Sequence, residues 1–125
     1  MIRVADVERS AAFYRLLGFE IGNYVPRDQS PMHWAWLYQP KAPNWKCGAN
    51  LMLMRGEGGF ESDPDTHVTL YLYATSLVSL RQELIDAGVK VSQISYPEYL
   101  PKGELAAHDP DGYAVMIGQS FEGSP

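Results

Sequence analysis

The chain has 125 residues, 46% of them hydrophobic, and 10 Lys and Arg against 15 Asp and Glu give a formal charge of −5. That length and apolar content suit one domain that buries about two-thirds of its unfolded surface, and they exclude intrinsic disorder. The acidic balance with no Lys/Arg cluster argues against nucleic acid as a partner. No apolar run approaches the length of about 18 residues that would cross a membrane, and the single cysteine, Cys47, points to a reducing cytoplasm. Aromatic residues make up 12% of the chain, with three Trp and eight Tyr, a surplus that calls for a use.

In chain order, Ile2-Arg3-Val4 reads as a short strand, and Asp6 is placed to cap a helix whose apolar face is Ala12, Phe13, Leu16 and Leu17. Gly18 ends that helix and Phe19-Glu20-Ile21 leads into another strand. His33 to Tyr38, rich in aromatics, and Ala49 to Met54, short and apolar, are the next two strands. Residues 56–65, glycine-rich and charged, read as a linker. Thr66 to Tyr73 is a strand, followed by a helix capped by Thr75 or Ser76, with Leu77, Leu80 and Leu84 at helical spacing and Gly88 at its end. Val89 to Val91 continues as a strand. Glu104 to His108 and Tyr113 to Gly118 then flank the turn Asp109-Pro110-Asp111-Gly112.

The order strand, helix, glycine, strand occurs twice, with Val4 aligned to Leu72 at an offset of 68 and Gly18 to Gly88 at 70. Two extra residues before the second helix would reconcile the offsets. The half-repeats span about 1–55 and 66–120, each reading βαβββ, and residues 1–125 form a single domain in this reading.

Such a duplication in about 125 residues, with Asp109-Pro110-Asp111-Gly112 before its last strand, resembles the vicinal oxygen chelate superfamily. That group includes glyoxalase I, extradiol dioxygenases, and fosfomycin- and bleomycin-resistance proteins. The resemblance rests on Val4-Ala5-Asp6, Ala12-Phe13-Tyr14, Leu17-Gly18-Phe19, His67, the helix end from Leu84 to Val89, and Glu104-Leu105 through Tyr113. It implies an α+β fold in which duplicated βαβββ units form curved mixed sheets around a cleft. It further implies that metal-dependent members carry ligands on the first and last strands of each half.

Against that pattern, His67 stands at the second-half ligand position, and its first-half counterpart falls before Met1. The last-strand positions, where the resemblance expects carboxylates, hold Met116 and, aligning Gly48 with Gly112, Met52. A thioether is a soft, neutral, weak donor that does not satisfy a hard divalent ion. Of four expected ligand positions His67 alone is retained, so the reading assigns no metal site and no catalytic residue. His108 and Glu104 share a strand face by period two, and His33 has no ligand partner at useful spacing.

Strand alternation supplies the cleft instead. With His67 inward, Thr69, Tyr71 and Tyr73 share its face while Val68, Leu70 and Leu72 pack under the helix. With Met116 inward, Val115 and Ile117 face the helix. Met52 and Met54 share one face, as do Trp34, Trp36 and Tyr38, and the alternation leaves open which side of that aromatic strand lines the cleft.

The ligand-binding set is therefore His67, Tyr71, Tyr73, Met52, Met54, Met116, Trp34 and Trp36. Aromatic and Met side chains with few polar groups suit a flat, partly apolar small molecule. The expected function is that of the bleomycin-resistance type: a metal-free cytoplasmic homodimer with no cofactor that binds an amphipathic or aromatic compound, with antibiotic sequestration as its use. The alternative is a metal-dependent lyase, isomerase or dioxygenase of the same superfamily, with a divalent metal as cofactor. Cys47 lacks a His partner for nucleophilic work, the glycines of residues 55–59 lack the Lys-Ser/Thr of a phosphate loop, and Asp109 and Asp111 are turn residues.

Overall fold

A computed structural model describes residues 1–44, 46–57 and 68–120. The element order is β1 (Ile2–Val4), α1 (Val7–Leu16), β2 (Glu20–Val25), β3 (Trp34–Tyr38), β4 (Leu51–Arg55), β5 (Thr69–Ala74), α2 (Leu77–Asp86), β6 (Glu104–His108) and β7 (Ala114–Gln119). The elements gather into two compact units, Met1–Asp63 and Pro64–Pro125. β1 and β6 keep their expected bounds, and the other strand ends lie within three residues of theirs. The linker expected over 56–65 and the first residues of the expected strand 66–73, His67 among them, lie almost wholly outside the described residues.

In the first unit four strands lie in the order β1-β4-β3-β2, with β1 parallel to β4 and the other pairs antiparallel. Asp6 starts α1 as expected, its Oδ1 accepting the Arg9 N–H at 3.0 Å. The buried stripe of α1 differs from the expected one: it is Val7, Ser10, Ala11, Phe13 and Tyr14, while Ala12 is exposed. Val7, Ala11 and Tyr14 fall at i, i+4 and i+7, and Ser10 fills i+3, so the polar Ser10 hid the true stripe in the sequence. Tyr14 meets Phe13 and Phe19 edge to face, with ring centroids 5.0 and 6.3 Å away. Val4, Ala35, Leu37 and Leu53 complete this core from the sheet.

The second unit has three strands, in the order β5-β7-β6, with β5 parallel and β6 antiparallel to β7. Ser76, not Thr75, caps α2. The strand expected after Gly88 is reduced to two isolated bridges, Val91 to Ala107 and Ser95 to Glu104. The cause is Ser92: its backbone N–H bonds Ala106 O, but the returning Ala106 N–H is taken by Ser92 Oγ at 2.9 Å. A hydroxyl thus replaces the ladder carbonyl between the bridges. The second half is βαββ rather than βαβββ.

Both units end their helices on a glycine in the left-handed region, Gly18 at φ +95° and Gly88 at φ +80°. The same backbone bonds recur at a constant offset of 70, Ser10 to Asp6 matching Leu80 to Ser76 and Phe19 to Tyr14 matching Val89 to Leu84. Val4 and Ala74 each stand two residues before their cap, so Val4 corresponds to Ala74 rather than to Leu72. The offset of 68 and the longer second loop are thereby corrected.

At the end of β7, Gln119 is fully buried. Its Oε1 accepts the Leu77 N–H at 2.9 Å, and its Nε2 donates to Thr75 O at 2.8 Å and to Ser120 O at 3.2 Å. Asp109 Oδ1 accepts the N–H groups of Asp111 and Tyr113, both at 2.9 Å, and Gly112 sits at φ +90°, which is the turn role expected of this sequence.

Candidate ligand-binding faces

Each sheet turns one face to its helix and one away. In β3 and β4 of the first unit, Ala35, Leu37 and Leu53 are fully buried on the helix side. Trp34, Trp36, Tyr38, Met52 and Met54 therefore share the opposite face, which settles the orientation the sequence left open. The register puts Trp36 beside Met52 and Trp34 beside Met54. Trp36 and Tyr38 stack, with centroids 5.5 Å apart and planes at 22°. The Trp36 indole N–H donates to Asn50 Oδ1 at 2.7 Å. Beside them, β2 steps around a bulge between Ile21 and Asn23, and a Cβ on Gly22 would stand 2.5 Å from the Trp36 ring. The absence of a side chain there is what lets the indole lie across the neighbouring strand.

In the second unit Val115, Ile117, Leu105 and Ala107 are buried toward α2. The other face carries Tyr71, Met116 and Ala106 in one row, Tyr73, Gly118 and Glu104 in the next, and Thr69, Ala114 and His108 in a third. Tyr71 and Tyr73 are 43% and 63% exposed, with rings 5.4 Å apart and tilted at 55°. Leu100 closes one end of this face, reaching to 2.7 Å from where a Gly118 Cβ would be.

Glu104 is buried among these groups. Its Oε2 accepts the Tyr71 hydroxyl at 2.8 Å and its Oε1 accepts the Tyr99 hydroxyl. Burial, and then the hydrogen bond to Glu104, push the Tyr71 phenol up to about 12. Its own hydrogen bond to Glu104, followed by desolvation, raises Tyr99.

Of the expected ligand-binding residues, Trp34, Trp36, Met52 and Met54 come together on one face, and Tyr71, Tyr73 and Met116 on another. His67 lies outside the described residues. Glu104 and Tyr99 were missed. The period-two run Glu104, Ala106, His108 signalled the first, but nothing in the sequence signals Tyr99, which comes from an irregular segment.

The two methionines occupy corresponding places: Gly56 N–H bonds Val4 O as Ser120 N–H bonds Ala74 O, an offset of 64 that carries Met52 onto Met116. Among the described residues no three His, Cys, Asp or Glu side chains converge as metal ligands, and thioethers stand at both last-strand positions. This donor set does not fit a hard divalent ion.

No curated protein matches the chain. Solved structures do. A bleomycin resistance determinant encoded on the transposon Tn5 is 21% identical, with 96% of this chain and 93% of that one covered and a TM-score of 0.66. A bleomycin-binding protein complexed with bleomycin is 22% identical over 95% and 93% of the two chains, at a TM-score of 0.65. TnmS3, an antibiotic-binding protein from Streptomyces sp. CB03234, is 20% identical over 94% and 89%, also at 0.65. At these identities the likeness is one of fold: a mixed α+β architecture with curved mixed sheets. The sequence pattern of one family runs through residues 1–117, and with it the assignment closes: the chain belongs to the Glyoxalase/Bleomycin resistance protein/Dioxygenase superfamily, the vicinal oxygen chelate group.

Proposed function

We propose that this protein is a metal-free binder of a small amphipathic or aromatic molecule, with antibiotic sequestration as its use, and that it performs no chemistry on its ligand. The observation that carries this reading is the pairing of Trp36 with Met52 and of Tyr71 with Met116 on sheet faces turned away from the helices. Flat rings and polarizable thioethers together offer adaptable apolar contact and put soft, neutral donors where the resemblance expects carboxylates. The bleomycin-bound and antibiotic-binding structures of the same fold support it.

The protein acts as a homodimer in the cytoplasm in this reading, the exposed thiol of Cys47 suiting a reducing compartment. The test titrates the purified protein with planar aromatic antibiotics and follows tryptophan fluorescence, before and after exhaustive chelation. Quenching that saturates, is equal in both preparations and is weakened at least roughly tenfold by Trp36→Ala supports the binder. A stoichiometric divalent metal whose removal abolishes binding would establish the enzyme alternative instead.

A further inference from the structure

Glu104 is 5% exposed, yet among the described residues no Lys, Arg or His forms an ion pair with it. Its two hydrogen bonds come from Tyr71 and Tyr99, which are neutral. Phenols satisfy the lone pairs of a carboxylate without cancelling its charge, and no ion pair among the described residues does so.

The surroundings indicate what charge would complete it. Each phenol spends its proton on Glu104, so the hydroxyl oxygens of Tyr71 and Tyr99 keep lone pairs free to accept from an N–H donor. Hydrogen bonding to an anion also polarises those oxygens, passing negative charge outward. Beside them the Tyr71 and Tyr73 rings are 43% and 63% exposed, 5.4 Å apart and tilted, and Tyr99 is 72% exposed. Aromatic faces attract cations through their quadrupole, most strongly where water is partly excluded.

We propose that Glu104 and the tyrosines 71, 73 and 99 form a receptor for the cationic group of the ligand, a protonated amine or quaternary ammonium carried on a flat apolar body. This inference rests on the binder reading above and narrows its ligand class. The carboxylate works through the two phenols, and the cation sits against their oxygens and ring faces.

The test compares (naphthylmethyl)trimethylammonium with its neutral all-carbon isostere by calorimetry on the full chain. The expected result is at least roughly tenfold tighter binding of the cation. Glu104→Gln should bring the two affinities to within about threefold by weakening only the charged compound, a change in selectivity that a purely structural role would not produce. If Glu104→Gln fails to fold, Tyr73→Leu serves, since it removes an exposed ring face and should cost the cation more than the isostere. Equal binding of both compounds by the parent, or an unchanged preference in the folded variant, overturns the cation receptor and leaves the binder reading standing. Binding of neither overturns both.

Discussion

Gly22 holds the first aromatic face open. With a Cβ there only 2.5 Å from the Trp36 ring, Gly22→Ala must displace the indole from its stack on Tyr38. We expect a loss of about 1–3 kcal/mol in denaturant unfolding, together with changed tryptophan emission. Tyr71 carries a pH signature. Its phenol is raised from 10.0 to about 12 in the folded chain, so the fold retains a proton that the unfolded chain gives up earlier. The stabilisation is complete below about pH 10 and is lost as pH climbs through about 12. Thermal unfolding of Tyr71→Phe should therefore fall less steeply over that interval than the parent's. The corresponding methionines should diverge under substitution. Met52 is 40% exposed, so Met52→Glu should cost less than about 1 kcal/mol. Met116→Glu puts a second carboxylate on the half-buried face of Glu104 and should cost about 2 kcal/mol or more by urea denaturation.

The two helices are alike in length and cap but unequal in burial. Five residues of α1 are buried against only Leu77 and Leu84 of α2, and Val78 and Ile85 of α2 are 51% and 41% exposed. Amide hydrogen exchange should accordingly be faster in the middle of α2 than in α1, at equal temperature and pH. These elements also show where the sequence was legible. Caps, terminal glycines and the Asp109 turn are local devices, each visible within a few residues, and the structure has them where the sequence puts them. The alternation of β5 and β7 likewise separated Tyr71, Tyr73 and Met116 from Val115 and Ile117 without help. What failed was what depends on a distant partner. Ser92 interrupts a ladder only because Ala106 arrives opposite it, Ser10 is buried only because a sheet covers it, and Tyr99 matters only because Glu104 receives it.

At the scale of the molecule, family membership leaves metal-dependent and metal-free chemistries open, and the proposal of a metal-free binder makes a prediction that separates them. Chelation should leave the melting temperature unchanged, since a bound metal would contribute stabilisation that its removal subtracts. Differential scanning calorimetry with and without chelator measures this. The same scan addresses the proposal that residues 1–125 act as one domain. A single transition with equal calorimetric and van't Hoff enthalpies is expected, whereas two resolved transitions would mean that Met1–Asp63 and Pro64–Pro125 unfold independently.

Gln119 has a consequence for the order in which the chain becomes structured during synthesis. Both helices have a local cap, Asp6 binding the N–H three residues on in α1 and Ser76 doing the same in α2. The Leu77 N–H at the start of α2 waits for a side chain 42 residues later. Until the last strand emerges, that amide and the Thr75 carbonyl have only water. A chain stalled before Gln119 is made would thus hold α2 by its Ser76 cap alone, with its first turn not yet tied to β7, a difference that limited proteolysis of stalled nascent chains would record.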